Sequence, residues 1–512
     1  MWQPGLAGRV SSNALLNGLG QVLVAVVAII SLPAIVKRLG PDTFGILTLV
    51  YVAFGAIGIL DLGLGRATAK VVSEFLASKR TAAIGPAILV SASIQFCMGA
   101  TLGVGLFFAR SFVTQRLLRM PAGLQAEGSV VCAIVAAALP VVLCSFALRG
   151  ALEGAQRFDL VNSVKIPLNI SIYLIPWVGA LLGSNLSTIV AGLAITRLLG
   201  AYVFGLFCLR IFPHCFHARG LVSGATSSLF RFASWSSLSS VLVPCLVYID
   251  RYLVATRVSL AAVTYYAVPF ELINGLSAIS SSVSSATFPA FSQLQATNDS
   301  NAHTTALQLY MRATRFLMLV LAPVTIVLVL FPKDLLRLWQ GDVVAAKSAI
   351  PLQILAIGAF TNTLGAVPGS FLMGYGRPDL IGKIHLGQVL LYGPLVYFLA
   401  STFGVSGVAM AFSIRVTLET LLLVGASIIV SPSIRFVILG RGFFRSVLTA
   451  SLFGVAATCI KLLCRTFAQA AAGLLGVSLL YAVVAWLTAL DSVDRAAALS
   501  ILTSARRSLK CS

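Results

Sequence analysis

Leu152-Glu-Gly154-Ala-Gln-Arg157-Phe-Asp159-Leu160 recurs about 220 residues later as Leu372-Met-Gly374-Tyr-Gly-Arg377-Pro-Asp379-Leu380, with five of nine positions identical. Each copy is a short polar break between two long apolar runs, and such runs fill the chain. They are about 20 residues long, enough for a helix to cross the hydrocarbon core of a bilayer. About fourteen spans follow: Asn13–Val36, Phe44–Leu62, Ala83–Ala109, Gly128–Leu148, Val161–Leu182, Ser187–Leu209, Thr226–Ile249, Ala262–Phe288, Phe316–Phe331, Ile350–Leu372, Leu380–Ala400, Val405–Val430, Val447–Leu463 and Ala468–Leu490. Both copies of the repeat fall between the fourth and fifth spans of their half. Arg197 in span six has a counterpart, Arg415, in span twelve. The expected fold class is therefore an all-α polytopic membrane protein with two six-helix lobes and two added C-terminal helices. Six is even, so the two copies run parallel about an axis along the membrane normal. The expected divisions are an N-terminus at 1–12, an N-lobe at 13–220, a C-lobe at 221–440, the last two spans at 441–490 and a tail at 491–512.

Composition agrees. The 512 residues are 58% hydrophobic and 10% charged, with mean hydropathy +0.98, and no soluble domain buries that much apolar surface. The first apolar run ends in Pro33, Lys37 and Arg38 without a small-residue cleavage signature, so it reads as a retained span rather than a signal peptide. Nine cysteines are scattered with no CxxC pair, including Cys97, Cys132, Cys144, Cys208 and Cys245 inside spans, and serve as small packing residues. The net charge of +21 would suggest nucleic acid in a soluble chain; here it follows the positive-inside rule instead, and no nucleic-acid partner is expected. With the N-terminus in the cytoplasm, about 22 Lys and Arg fall inside and about twelve outside, which places both termini in the cytoplasm. Arg110, Arg116 and Arg119 run against that bias.

Polar residues within the spans mark a candidate pathway. Asn13, Asn17 and Gln21 lie at i, i+4 and i+8 on span one. Ser236 and Ser240 occupy matching places on span seven, and Glu271, Asn274, Ser277, Ser281 and Ser285 share a face of span eight. Serines alone serve helix packing equally well; amides and a carboxylate on the same stripes favour a hydrated cavity. Arg197, Glu271 and Arg415 each lie roughly 14 Å inside their spans, near the middle of a ~30 Å core. Arg415 has Glu419 one turn on, so an intrahelical ion pair outweighs substrate contact there. Glu271 has no local cation; it is a protonated acid, a coupling-ion site or a partner for an arginine on another helix. Asp61, Arg66 and Lys70 after span two, Arg231 before span seven, and Arg312 and Arg315 before span nine lie near the inner surface. Such cations usually anchor to headgroups. A cleft opening among them would suit phosphate-bearing lipids, because guanidinium binds oxyanions bidentately.

Catalytic and metal chemistry finds no support. His214-Cys-Phe-His217 lacks a third ligand, Gly63-Leu-Gly65 has no nucleotide-loop context, and Gly99 with Gly103 is a GxxxG of close helix contact. No catalytic set, metal or cofactor is expected.

Asn13-Ala-Leu-Leu-Asn17 with Gln21, Pro33, Arg38-Leu-Gly40-Pro-Asp-Thr-Phe44-Gly45 and Asp61-Leu-Gly-Leu-Gly65-Arg66 resemble the start of polysaccharide transporters of the oligosaccharide flippase (Wzx-like) group. Ile249-Asp250-Arg251-Tyr252, Tyr265-Tyr266, Pro269 and Phe288-Pro289-Ala-Phe291-Ser292 resemble that group's seventh and eighth helices; Ser259 departs from a common glycine there. The resemblance runs from Asn13 to about Val430. It implies a transporter of the multidrug/oligosaccharidyl-lipid/polysaccharide superfamily, with two lobes around a central cavity. The implied activity is moving undecaprenyl-pyrophosphate-linked oligosaccharide from the inner to the outer leaflet of the cell membrane by alternating access. Its partners would be that lipid-linked oligosaccharide, membrane lipids, and assembly proteins such as a polymerase and a chain-length regulator. On this reading Arg66, Arg197, Arg231, Arg251 and Arg415, with Asn17 and Gln21, shape the pathway, and Glu271 or Asp61 serves coupling. Rival readings are a lipid II-type flippase, a multidrug antiporter, which would want carboxylates in the first lobe, and a membrane polysaccharide polymerase or acyltransferase. The last would need a sizeable catalytic outer loop, and the longest outer break, around Arg110 to Glu127, is short and lacks histidine.

Overall fold

The structure, a computed structural model, describes residues 23, 24, 26–51, 61, 64–77, 80–118, 120–213, 246, 249–296, 302–438 and 440–489. Among these no strand occurs, because in lipid a helix satisfies every backbone donor and acceptor within its own segment. The helices are α1 (26–51), α2 (Leu64–Ala77), α3 (Ile84–Phe112), α4 (Ala122–Gly154), α5 (Phe158–Leu181), α6 (Leu186–Ile211) and α7 (249–257). Then come α8 (Leu260–Ala296), α9 (Ala302–Leu330), α10 (Pro332–Gln340), α11 (Asp342–Leu364), α12 (Ala366–Gly374), α13 (Pro378–Val430), α14 (Ile434–Ile438), α15 (Arg441–Leu463) and α16 (Phe467–Val484). Among the described residues nine helical segments are long and apolar enough to cross a membrane. One of them, α13, has 53 residues, about 80 Å of helix and far more than one crossing needs. Gly404 breaks it with φ 58° and ψ −133°, at the junction expected between Ala400 and Val405. The large side chains left exposed are those of a lipid-facing surface, among them Leu390, Phe398, Ile429, Leu462 and Leu479.

Two compact units form: Met1–Leu272 with His385–Ala411, and Ile273–Ile384 with Phe412–Ser512. In the first, Val72, Ile84, Ile88, Leu152, Val161, Phe204 and Phe212 make a continuous core. There α3 and α4 touch through the GxxxG: a Cβ at Gly99 would meet the backbone of Leu139 and Pro140, and one at Gly103 the carbonyl of Ala136. In the second unit, α9, α15 and α16 close around Phe331, Phe453, Ala457 and Leu474.

The repeated stretch builds the same corner in each unit. Arg157 N donates to the Leu152 carbonyl at 2.9 Å and Gln156 N to Glu153 O at 2.9 Å; Arg377 N and Gly376 N repeat this to Leu372 O at 2.9 Å and Met373 O at 3.2 Å. The long bond from residue six back to residue one is a Schellman closure, which satisfies carbonyls the helix end would leave open. Arg157 and Arg377 then each donate Nε to the carboxylate two residues on, Asp159 or Asp379, at 3.0 Å. The closure needs a left-handed residue, and φ is +58° at Gln156 and +69° at Gly376. An L side chain there costs about 1–2 kcal/mol, which glycine avoids. Gln156→Gly is accordingly expected to raise the free energy of unfolding by about 1 kcal/mol and Gly376→Gln to lower it by about as much, read as opposite shifts in the thermal unfolding midpoint of the purified protein.

Candidate functional site

Hydropathy ends span seven at Ile249 because Asp250 and Arg251 follow. Residues 249–257 are nevertheless helical. Ser259 starts α8 by accepting a hydrogen bond on Oγ from Ala262 N at 3.1 Å, a side-chain cap at the position where the resemblance implies a glycine. Asp250 and Arg251 thus lie inside a helix, both buried, and a buried charge needs a partner. Asp250 is fully buried, and its carboxylate accepts hydrogen bonds from the hydroxyls of Tyr266, at 2.7 Å, and Tyr392. Arg251 Nη2 lies 3.3 Å from Glu271 Oε1, and Tyr173 Oη donates to Glu271 Oε2 at 3.0 Å. The guanidinium stands 5.1 Å from the Phe270 ring centre, and Tyr51 packs edge-on against Tyr173. Of the alternatives for Glu271, the structure shows a partner for an arginine on another helix.

This arrangement has a definite capability. Both oxygens of Glu271 are engaged, one by a cation and one by a phenol, in a setting where the Arg251 and Glu271 side chains are only 10% and 18% exposed. Coulomb attraction between the two is stronger in such a medium than in water. An anion that competes with Glu271 for Arg251 would meet the same charged, forked donor. Such a donor is suited to the paired oxygens of a phosphate.

Asp61 belongs to a different network of the first unit. Its carboxylate receives Gly65 N at 3.0 and 3.2 Å and the side-chain amide of Gln95, while Gln95 Oε1 accepts Ala147 N at 2.9 Å. Asp61 thereby caps α2 and, through Gln95, ties it to α3 and α4. That geometry is structural in kind. Asp61→Ala is expected to lower stability by about 1–3 kcal/mol, with transport per folded molecule retained; thermal unfolding alongside export normalised to protein abundance measures both.

In the second unit Arg415 makes the ion pair expected of it, with Nη1 3.2 Å from Glu419 Oε2, and lies 5.5 Å from the Phe412 ring centre. Arg197 is half-buried on α6. Arg66 sits in the first turn of α2, its side chain outside the described residues, as are Asn17, Gln21, Arg231, Ser236, Ser240, Cys245 and the His214–His217 pair. Of the sequence-derived candidates, the structure brings Arg251 and Glu271 into contact. Asp250, Gln95, Tyr173, Tyr266 and Tyr392 were not singled out as site residues. The signal for Asp250 was its adjacency to Arg251 in a run with no loop residues; for the tyrosines no local signal existed, since their partners lie 16 to 142 positions away.

Comparison with known proteins supplies the family. The family model described as polysaccharide biosynthesis protein matches residues 10–295, and the MatE model matches residues 235–398. A Shigella flexneri protein named as an O-antigen transporter is 28% identical over 428 residues, covering 80% of this chain and 96% of that protein. Among solved structures, the lipid II flippase MurJ in an inward closed conformation superposes with a TM-score of 0.68 at 12% identity, over 93% of this chain and 98% of MurJ. An inward-facing multidrug resistance MATE family transporter of the MOP superfamily superposes with a TM-score of 0.64 at 16% identity, over 82% of this chain and 99% of that one. At such identities the two structures establish the fold, and the match over more than half of the sequence establishes the lineage: the chain belongs to the polysaccharide biosynthesis protein family.

Proposed function

We propose that this multi-span membrane protein is a flippase for a lipid-linked oligosaccharide of polysaccharide assembly, carrying it from the inner to the outer leaflet of the cell membrane by alternating access. The observation that carries this reading is a largely buried ion pair, Arg251–Glu271, joining α7 to α8 in a chain from this family. Taking sugars and phosphates through hydrocarbon costs several kcal/mol for each unsatisfied polar group. A pathway lined by cations and amides removes most of that barrier. Arg66, Arg197, Arg231, Arg251 and Arg415, with Asn17 and Gln21, line it in this proposal, and Glu271 couples an ion to the cycle. Asp61, the other coupling candidate, is better explained by its capping bonds. The lobes at 13–220 and 221–440, the appended 441–490, cytoplasmic termini, and a polymerase and chain-length regulator as partners belong to the same proposal.

The test is translocation of lipid-linked oligosaccharide by the reconstituted protein, read as cargo accessible from the far leaflet. Movement above that of empty vesicles is expected, and none would overturn the reading. The match to the MatE family over residues 235–398 favours a second reading, cation-drug antiport. Drug efflux from the same vesicles without movement of the lipid-linked sugar would select it.

A further inference from the structure

The second unit holds a cavity of about 390 Å³ between the end of α8 and the start of α9, outside the Arg251–Glu271 site. Gln293 and Leu294 line one wall and Thr305, Gln308, Leu309 and Arg312 the other. Thr305, Gln308 and Arg312 rise along one face of α9, so a hydroxyl, an amide and a guanidinium converge with Gln293 on one space. Among the described residues of the lining, Arg312 is the one ionisable side chain. It is half-buried, whereas Arg315, one turn on, is 2% exposed and packs against Gly442 at the start of α15. Arg435, Arg441 and Arg445 stand exposed on α14 and α15 of the same unit. By the charge bias these segments face the cytoplasm.

We propose that this α8–α9 cavity binds the phosphate group of an anionic phospholipid of the cytoplasmic leaflet. Arg312 supplies a forked, charged donor matched to two phosphate oxygens. Thr305, Gln293 and Gln308 supply neutral donors around them, and Leu294 and Leu309 meet the apolar start of the lipid. A cation that merely reaches the interface would need only water and any headgroup; here the neutral donors surround one concave space, which selects phosphate held in place. The surrounding arginines raise the local concentration of anionic lipid without touching it.

The proposal is tested by titrating the detergent-solubilised full-length protein with phosphatidylglycerol and counting retained lipids by native mass spectrometry. Arg312→Gln is expected to weaken the tightest binding roughly five- to tenfold. Gln308→Ala should weaken it about two- to threefold. Arg441→Gln, which removes an equal charge outside the cavity, should leave it within about twofold, because it touches no lipid in this proposal. Unfolding midpoints without lipid show that the variants are folded. Binding unchanged in Arg312→Gln and Gln308→Ala, an equal loss in Arg441→Gln, or equal retention of phosphatidylcholine would each overturn the proposal. Separate titrations with a polyisoprenyl diphosphate and with inorganic phosphate identify the source. Tighter binding of the diphosphate would overturn the proposal by assigning the cavity to the transported lipid; equal binding of inorganic phosphate would overturn the lipid assignment. None of these readouts depends on export, so failure here is distinct from failure of the transport reading.

Discussion

Glu271→Ala is expected to lower the free energy of unfolding by about 3–5 kcal/mol, because it strands the buried Arg251 guanidinium with its carboxylate gone. It also leaves the Tyr173 hydroxyl without its acceptor. The loss should appear as reduced abundance in the membrane and a lower unfolding midpoint. A double variant, Arg251→Met with Glu271→Leu, removes both charges and should recover most of the stability, since a buried ion pair stabilises little relative to well-packed apolar groups. Transport separates stability from function. If the pair only holds helices together, the stable double variant exports cargo; if Arg251 meets the cargo's phosphates and Glu271 carries the coupling ion, it does not. Glu271→Gln sharpens this further, because the amide keeps the shape and loses the charge. Export by that variant is expected to lose its dependence on an imposed ion gradient, and an unaltered dependence would remove Glu271 from the coupling role.

How much of this was legible from residues alone follows from the range of each interaction. Membrane helices announce themselves locally, because about 20 apolar residues in a row have few alternatives. The repeat at Leu152 and Leu372 was legible for the same reason: its backbone bonds close within six residues, so five identical positions mark both copies, although the left-handed position differs, Gln156 against Gly376. Helix at 249–257 runs past the expected end of span seven because hydropathy scores Asp250 and Arg251 as solvent-seeking. What keeps them in the helix is Tyr266, Tyr392 and Glu271, up to 142 positions away, and composition windows are blind to pairing at that distance. Span nine began earlier than expected for a related reason: α9 starts at Ala302 rather than Phe316, carrying Arg312 and Arg315 within the helix. Asp61 shows another limit of local reading. A carboxylate after a span reads as a functional acid, yet its partners are the first turn of the next helix and a buried glutamine.

Gly150→Val is expected to destabilise the first unit by about 3 kcal/mol, and the duplicated position in the second unit explains why. A Cβ at Gly150 would fall on the carbonyl oxygen of Gly65, where α4 crosses the start of α2, so the added atoms meet backbone that cannot rotate away. Relief requires moving α2, and that pulls Gly65 N from the Asp61 carboxylate and disturbs Gln95. In the second unit the repeat places Ser370 where Gly150 stands, and its hydroxyl lies 2.6 Å from that of Ser284 on α8. The second copy therefore separates its helices by the width of two small side chains, while the first brings backbone onto backbone. Ser370→Gly should cost only the hydroxyl pair, about 1 kcal/mol. Gly150→Ser, which copies the second unit's residue into the first, should behave like an overpacked variant. Thermal unfolding of the three variants orders them, and a Gly150→Ser protein as stable as the parent would show that the contact between α2 and α4 yields without loss.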